Sequence, residues 1–131
     1  MLTVLVVDDD RSILELLKIV LEGGGYSVII AQDAEYALQV LLNEPVDMVL
    51  SDINMPGLDG YQLLHKIRGN RKLASIPVML LTIRADAMSA LKGMEIGADE
   101  YLPKPFTKNQ LLTRIKQMEI KLPFKPPEEN L

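Results

Sequence analysis

The sequence predicts an α/β domain in which an all-parallel sheet is covered by helices on both faces. Short runs of aliphatic and β-branched residues alternate five times with longer stretches of helical periodicity, as βα units in series do. Those runs are apolar at nearly every position instead of every second one, as strands buried on both faces are. Carboxylates and one lysine fall just beyond the runs, where the ends of parallel strands share an edge.

Each element has its own justification. Thr3–Val7 (TVLVV) is a buried-strand run, and Asp10 after it suits a helix cap. Ile13, Leu14, Leu17, Val20 and Leu21 recur at three- and four-residue steps, so one face of the first helix is apolar, and Gly23-Gly24-Gly25 ends it. Tyr26–Ala31 is the second strand. Asp33 caps a second helix with Ala34, Ala37, Leu38 and Leu41 inward, which stops before Pro45. Val46–Ser51 is the third strand, followed by Asp52 and a run of turn residues from Asn54 to Gly60. Leu63, Leu64 and Ile67 mark the third helix, and Val78–Thr82, led in by Pro77, is the fourth strand. A fourth helix runs from about Asp86 to Ile96 and closes at Gly97. Glu100–Leu102 is a short fifth strand. Thr107 and Gln110 have capping-box spacing and open a last helix with Leu111, Leu112, Ile115 and Met118 inward. Residues 1–122 are expected to form one domain, with the Pro-rich stretch 123–131 as a tail or linker.

Composition narrows the function. With 131 residues, 48% hydrophobic and 24% charged, the chain has the make-up of an ordinary globular domain. It has no cysteine, which excludes a disulfide framework, a thiolate metal site and a cysteine nucleophile. Apolar runs such as Leu2–Val7 are far shorter than the roughly 18 residues a membrane span needs, and no signal-peptide pattern opens the chain. A cytoplasmic address without membrane contact is the expectation. The net charge of -4 is unevenly spread: residues 1–65 carry two bases and 11 acids, and residues 66–131 carry 12 bases and seven acids. An acidic site in the first half with a countercharge from the second fits this split, and direct nucleic-acid binding by this domain does not.

The rim chemistry follows from where the strands end. Asp8 and Asp9 end the first strand, Asp52 the third and Thr82 the fourth, and Lys104 follows the fifth. Open α/β sheets bind ligands at this edge. Three neighbouring carboxylates repel one another, and a hard divalent cation relieves the repulsion. Magnesium prefers oxygen ligands and is commonly held by one or two carboxylates plus a phosphate. Asp8 and Asp9 are its candidate ligands, which leaves Asp52 as a nucleophile able to form an aspartyl phosphate. Lys104 would neutralise phosphoryl oxygens and Thr82 would donate a hydrogen bond to one.

The motifs VLVVDDD (4–10), DINMPGLDG (52–60), LLT (80–82) and YLPKPF (101–106) resemble, in that order, the receiver domain of bacterial response regulators. The resemblance runs from Leu2 to about Leu122. It implies a (βα)5 doubly wound sheet in the flavodoxin-like order 2-1-3-4-5. It also implies two-component signalling, in which a sensor histidine kinase or phosphotransfer protein passes a phosphoryl group to Asp52. Mg2+ would be held by Asp8, Asp9, Asp52 and the backbone carbonyl of Asn54. Thr82 and Tyr101 would be a switch pair, and Lys104-Pro105 a cis peptide. Output would pass through the fourth helix, fifth strand and fifth helix to an effector domain or downstream protein, as a monomer or a phosphorylation-dependent dimer. By the same resemblance, Asn54 and Arg84 would occupy positions that tune the phosphoryl lifetime in the family. Such a domain catalyses only its own phosphorylation and dephosphorylation.

Two residues depart from the family pattern. Ile83 stands where a small residue is usual, and its β-branched side chain is expected to restrict access to Asp52. Gln110 stands where an acid is usual in the set of charges, here Lys92, Asp99, Glu100 and Arg114, that pairs DNA-binding relatives into dimers. Other residues have plainer readings. His65 lies on the polar side of its helix, Met48 and Met79 are core filler, and Met88 and Met94 lie on the fourth helix. Two rival functions use the same residues. A haloacid-dehalogenase-like phosphohydrolase also has an aspartate nucleophile, Mg2+, Thr and Lys, but there the nucleophile comes first in the chain. A pseudo-receiver keeps the fold as a docking module without phosphorylation.

Overall fold

Successive strand residues point to opposite faces of a sheet, and here both faces are apolar. Val4, Val6, Met48, Leu50, Met79 and Leu81 face one side, and Leu5, Val7, Val49, Val78 and Leu80 the other, all at most 1% exposed. The computed structural model describes residues 1–83, 87–120 and 122. Its strands are β1 (Thr3–Val7), β2 (Ser27–Ala31), β3 (Met48–Asp52), β4 (Val78–Thr82) and β5 (Glu100–Pro103). They form one parallel sheet in the order β2-β1-β3-β4-β5, with the chain reversing direction of travel across the sheet between β2 and β3. This is the order the family resemblance implied; spacing alone had predicted only a parallel sheet.

Five helices follow the strands: α1 (Arg11–Gly23), α2 (Ala34–Asn43), α3 (Gly60–Arg68), α4 (Ala87–Ile96) and α5 (Lys108–Ile120). Leu14, Leu17 and Leu21 of α1 and Leu111, Ile115 and Met118 of α5 pack on the first face. Residues of α2 and α3, with Ala98 after α4, pack on the second. The caps are the expected ones. Asp10 accepts from the amides of Ser12 and Ile13, Asp33 accepts from Tyr36, and Thr107 and Gln110 close a reciprocal capping box. A second capping box, Asp59 with Gln62, opens α3.

Strand limits differ from the sequence expectation at β2 and β3, and β5 runs one residue further than expected, to Pro103. Tyr26 lies outside β2 because its amide bonds to Leu21 O at 3.1 Å, at the end of α1, so sheet pairing starts at Ser27. The third strand starts at Met48 instead of Val46 and runs on through Asp52, which pairs with Leu81. None of the helices among the described residues is long and apolar enough to cross a membrane. Arg84, Asp86 and the stretch 123–131 lie outside the described residues, as does the side chain of Met88.

Candidate functional site

The strand register brings the predicted residues to one rim. Val7 of β1 pairs with Ser51 of β3, so Asp8 and Asp52 leave neighbouring strands side by side. Asp52 in turn pairs with Leu81, one residue before Thr82, and Thr82 pairs with Pro103, one residue before Lys104. Lys104 N bonds to Thr82 O at 2.6 Å, which carries this ladder one step past the strand. The Lys104-Pro105 peptide is cis, as expected.

Asp8, Asp52 and Thr82 are buried and Asp9 is exposed. One carboxylate oxygen from each of Asp8, Asp9 and Asp52 lies within 4.8 Å of the other two. Lys104 Nζ stands 3.3 Å from Asp52 Oδ1 and 3.4 Å from Asp8 Oδ2. These separations lie beyond the ordinary hydrogen-bond range of about 2.7–3.2 Å, so the ammonium bridges the two acids chiefly as a charge. Asp8 Oδ1 also accepts from Asp10 N at 2.9 Å, which orients its carboxylate. Burial pushes the Asp52 carboxyl above its ordinary range; the Lys104 charge pulls it down and the Asp8 charge adds to the rise.

The donor set suits a hard cation. It is all oxygen, anionic, and open on the Asp9 side, which is the ligand chemistry Mg2+ prefers. Asn54 is exposed two residues past Asp52, in the loop that α3's capping box terminates. Tyr101 is half-buried on β5 beside Leu80, and its carbonyl accepts from Arg114 at 3.0 Å. Ile83 is 73% exposed, so its side chain points largely to solvent.

The remaining residues are placed as plainly. His65 is exposed on α3, Met48 and Met79 are fully buried, and Met94 is exposed on α4. The charges expected at a dimer face make contacts within the chain: Arg114 reaches Glu100 at 3.3 Å, Asp99 takes Arg68 at 2.8 Å, and Lys92 Nζ lies 4.5 Å from the centre of the Tyr61 ring. Gln110 serves the α5 capping box. Sequence reasoning missed Gly60, whose lack of a side chain lets α3 start against the Asp52 backbone. The signal was present in Asp59-Gly60 followed by Gln62, a cap with its box partner.

Comparison with known proteins identifies the family. The family described as the response regulator receiver domain matches residues 4–116. The transcriptional regulatory protein CpxR of Escherichia coli (strain K12) is 42% identical over 113 residues, covering 86% of this chain and 47% of CpxR. The response regulator MprA of Mycobacterium sp. (strain KMS) is 40% identical over 115 residues, covering 88% of this chain and 49% of MprA. The chain thus spans about half the length of these curated relatives. Among solved structures, the response regulator protein TrrA of Thermotoga maritima, crystallised in complex with Mg2+-BeF, superposes with a TM-score of 0.80 at 36% identity. That match covers 90% of this chain and 99% of TrrA.

Proposed function

The chain belongs to the response regulator receiver family of two-component systems, and from that premise we propose that Asp52 is its phosphoacceptor. A carboxylate oxygen of Asp52 attacks phosphorus of a phosphohistidine on a sensor kinase or phosphotransfer protein. The P–O bond forms as the P–N bond breaks, and the departing imidazole nitrogen keeps the electron pair. Lys104, already facing Asp52, balances the charge of the phosphoryl oxygens, and Thr82 donates a hydrogen bond to one of them. Asp8, Asp9, Asp52 and the Asn54 carbonyl would hold Mg2+, which supplies electrostatic stabilisation of those oxygens when bound. The observation that carries the proposal is the bridge itself: one ammonium set between two buried aspartates, with a third aspartate beside them.

The signal is a population shift. Contacts of Thr82 and Tyr101 that exist only with the phosphoryl group bound bias α4, β5 and α5 toward a second arrangement. An effector or downstream protein reads that face; the relatives' additional length leaves room for an effector joined through 123–131. Family membership sets aside the phosphohydrolase alternative.

Intact mass after incubation with acetyl phosphate and Mg2+ tests the proposal. The expected result is a gain of one phosphoryl group, lost in Asp52→Asn and after metal chelation. A gain that survives in Asp52→Asn would move the acceptor elsewhere, and no gain in the wild type would favour the pseudo-receiver.

A further inference from the structure

We infer that Arg68 is a positioning residue that holds the far end of α4 fixed, so that occupation of the Asp52 site turns this helix about its C-terminus instead of shifting it bodily. The inference rests on the receiver reading and specifies how its output helix moves.

Arg68 ends α3, on the edge of the sheet opposite the site, and every nitrogen of its guanidinium is used. Nε donates to Gly97 O at 2.9 Å, just past the last turn of α4. One terminal nitrogen donates to Ile76 O at 2.6 Å and Ala74 O at 3.2 Å, in the connection that leads into β4. The other donates to Asp99 Oδ2 at 2.8 Å, and the same oxygen accepts from Val78 N at 2.8 Å. One side chain thereby ties α3, the start of β4, the end of α4 and the approach to β5. The fit is close: a Cβ on Gly97, whose φ is +114°, would stand 3.1 Å from Arg68 Nε. A lysine ammonium is a point charge without the planar fork that meets these separated acceptors together.

β4 joins this clamp to the site. Its first residue, Val78, is bonded to the clamp through Asp99, and its last, Thr82, lies at the rim beside Asp52, about 13 Å away along the strand. A rigid helix tied at one end answers a displacement near its other end by turning about the tie. α4 is about 15 Å long, so a tilt of about ten degrees moves its first turn by about 2.6 Å and leaves its last turn in place.

Hydrogen exchange on the intact chain, with and without Mg2+ and beryllofluoride as a phosphoryl mimic, tests the inference. In the wild type, exchange should change at least about fivefold over residues 87–91 and less than about twofold over 96–100. In Arg68→Lys, the change should spread to 96–100, again by at least about fivefold, while beryllofluoride still binds. Asp99→Asn keeps an acceptor for Val78 N but removes the charge, and should act in the same direction to a smaller extent; it decides the matter if Arg68→Lys fails to fold. A wild-type response at 96–100 as large as at 87–91 would overturn the fixed end. Folded variants that exchange like the wild type would overturn the role of Arg68. No wild-type response to beryllofluoride anywhere would instead remove the receiver reading, and this inference with it.

Discussion

A Cβ added to Gly60 would lie 2.4 Å from the carbonyl oxygen of Asp52 and 2.8 Å from the Cα of Ile53. The start of α3 is thus pressed against the end of β3, and Gly60 N bonds to Ile53 O at 2.8 Å. Both neighbours are backbone, so a methyl group displaces the strand end that carries Asp52, the proposed phosphoacceptor. Gly60→Ala is expected to cost about 1–3 kcal/mol of stability. Misplacement of Asp52 should also slow phosphoryl capture at least about tenfold. Thermal melting and intact mass with acetyl phosphate check the two effects, and wild-type values in both would mean that the strand end yields freely.

Asp52 sets a pH dependence in the metal-free protein. Burial raises its carboxyl above the ordinary 3.8, against the pull of Lys104 and with the repulsion of Asp8. The folded state then holds the proton more tightly than the unfolded chain, so stability falls as pH rises from 3.8 through the folded-state pKa. In chelator at neutral pH, Asp52→Asn should melt above the wild type, and the gap should close as pH is lowered to about 4. Added Mg2+ should raise the wild-type melting temperature more than that of the variant. A gap that persists unchanged at low pH would place the effect elsewhere.

Tyr26 ties the end of α5 to the start of β2, because its hydroxyl donates to the Glu119 carboxylate. Burial, the bond to Glu119 and its charge push the phenol well above the ordinary 10.0. A raised phenol contributes its stability below pH 10.0 and loses it as pH climbs through the folded-state value. Tyr26→Phe should therefore cost about 1–2 kcal/mol at neutral pH and flatten the alkaline decline. Denaturant melts at neutral and alkaline pH measure both.

Ile83 is expected to act on the rates. It is 73% exposed and lies one residue past Thr82 at the end of β4. Ile83→Ala should change capture from acetyl phosphate, loss to water, or both by more than about twofold, which is about 0.4 kcal/mol in the barrier. Rates for both steps within that margin would remove Ile83 from the access path.

The residues that were legible in the sequence are those whose behaviour is local. Asp10, Asp33 and the Thr107–Gln110 pair cap their helices because a cap needs only its own next three residues. Asp8, Asp9, Asp52, Thr82 and Lys104 were legible as one rim because parallel strands must end at a common edge. The beginning of β2 was misread at Tyr26 because a helix end competes for that amide. Arg68 carries no local signal of its role, since its acceptors lie on separate segments up to 31 residues away.

By itself, then, the sequence determined the five βα units, the parallel sheet and the set of side chains at its carboxyl edge, since apolar period, cap chemistry and strand direction act over a few residues. Tertiary structure alone decided that Lys104 sits between Asp8 and Asp52, that Gly60 must lack a side chain, and that Arg68 binds the end of α4 to the segments leading into β4 and β5. Those depend on distances between segments remote in the chain, which are set only when both faces of the sheet are packed.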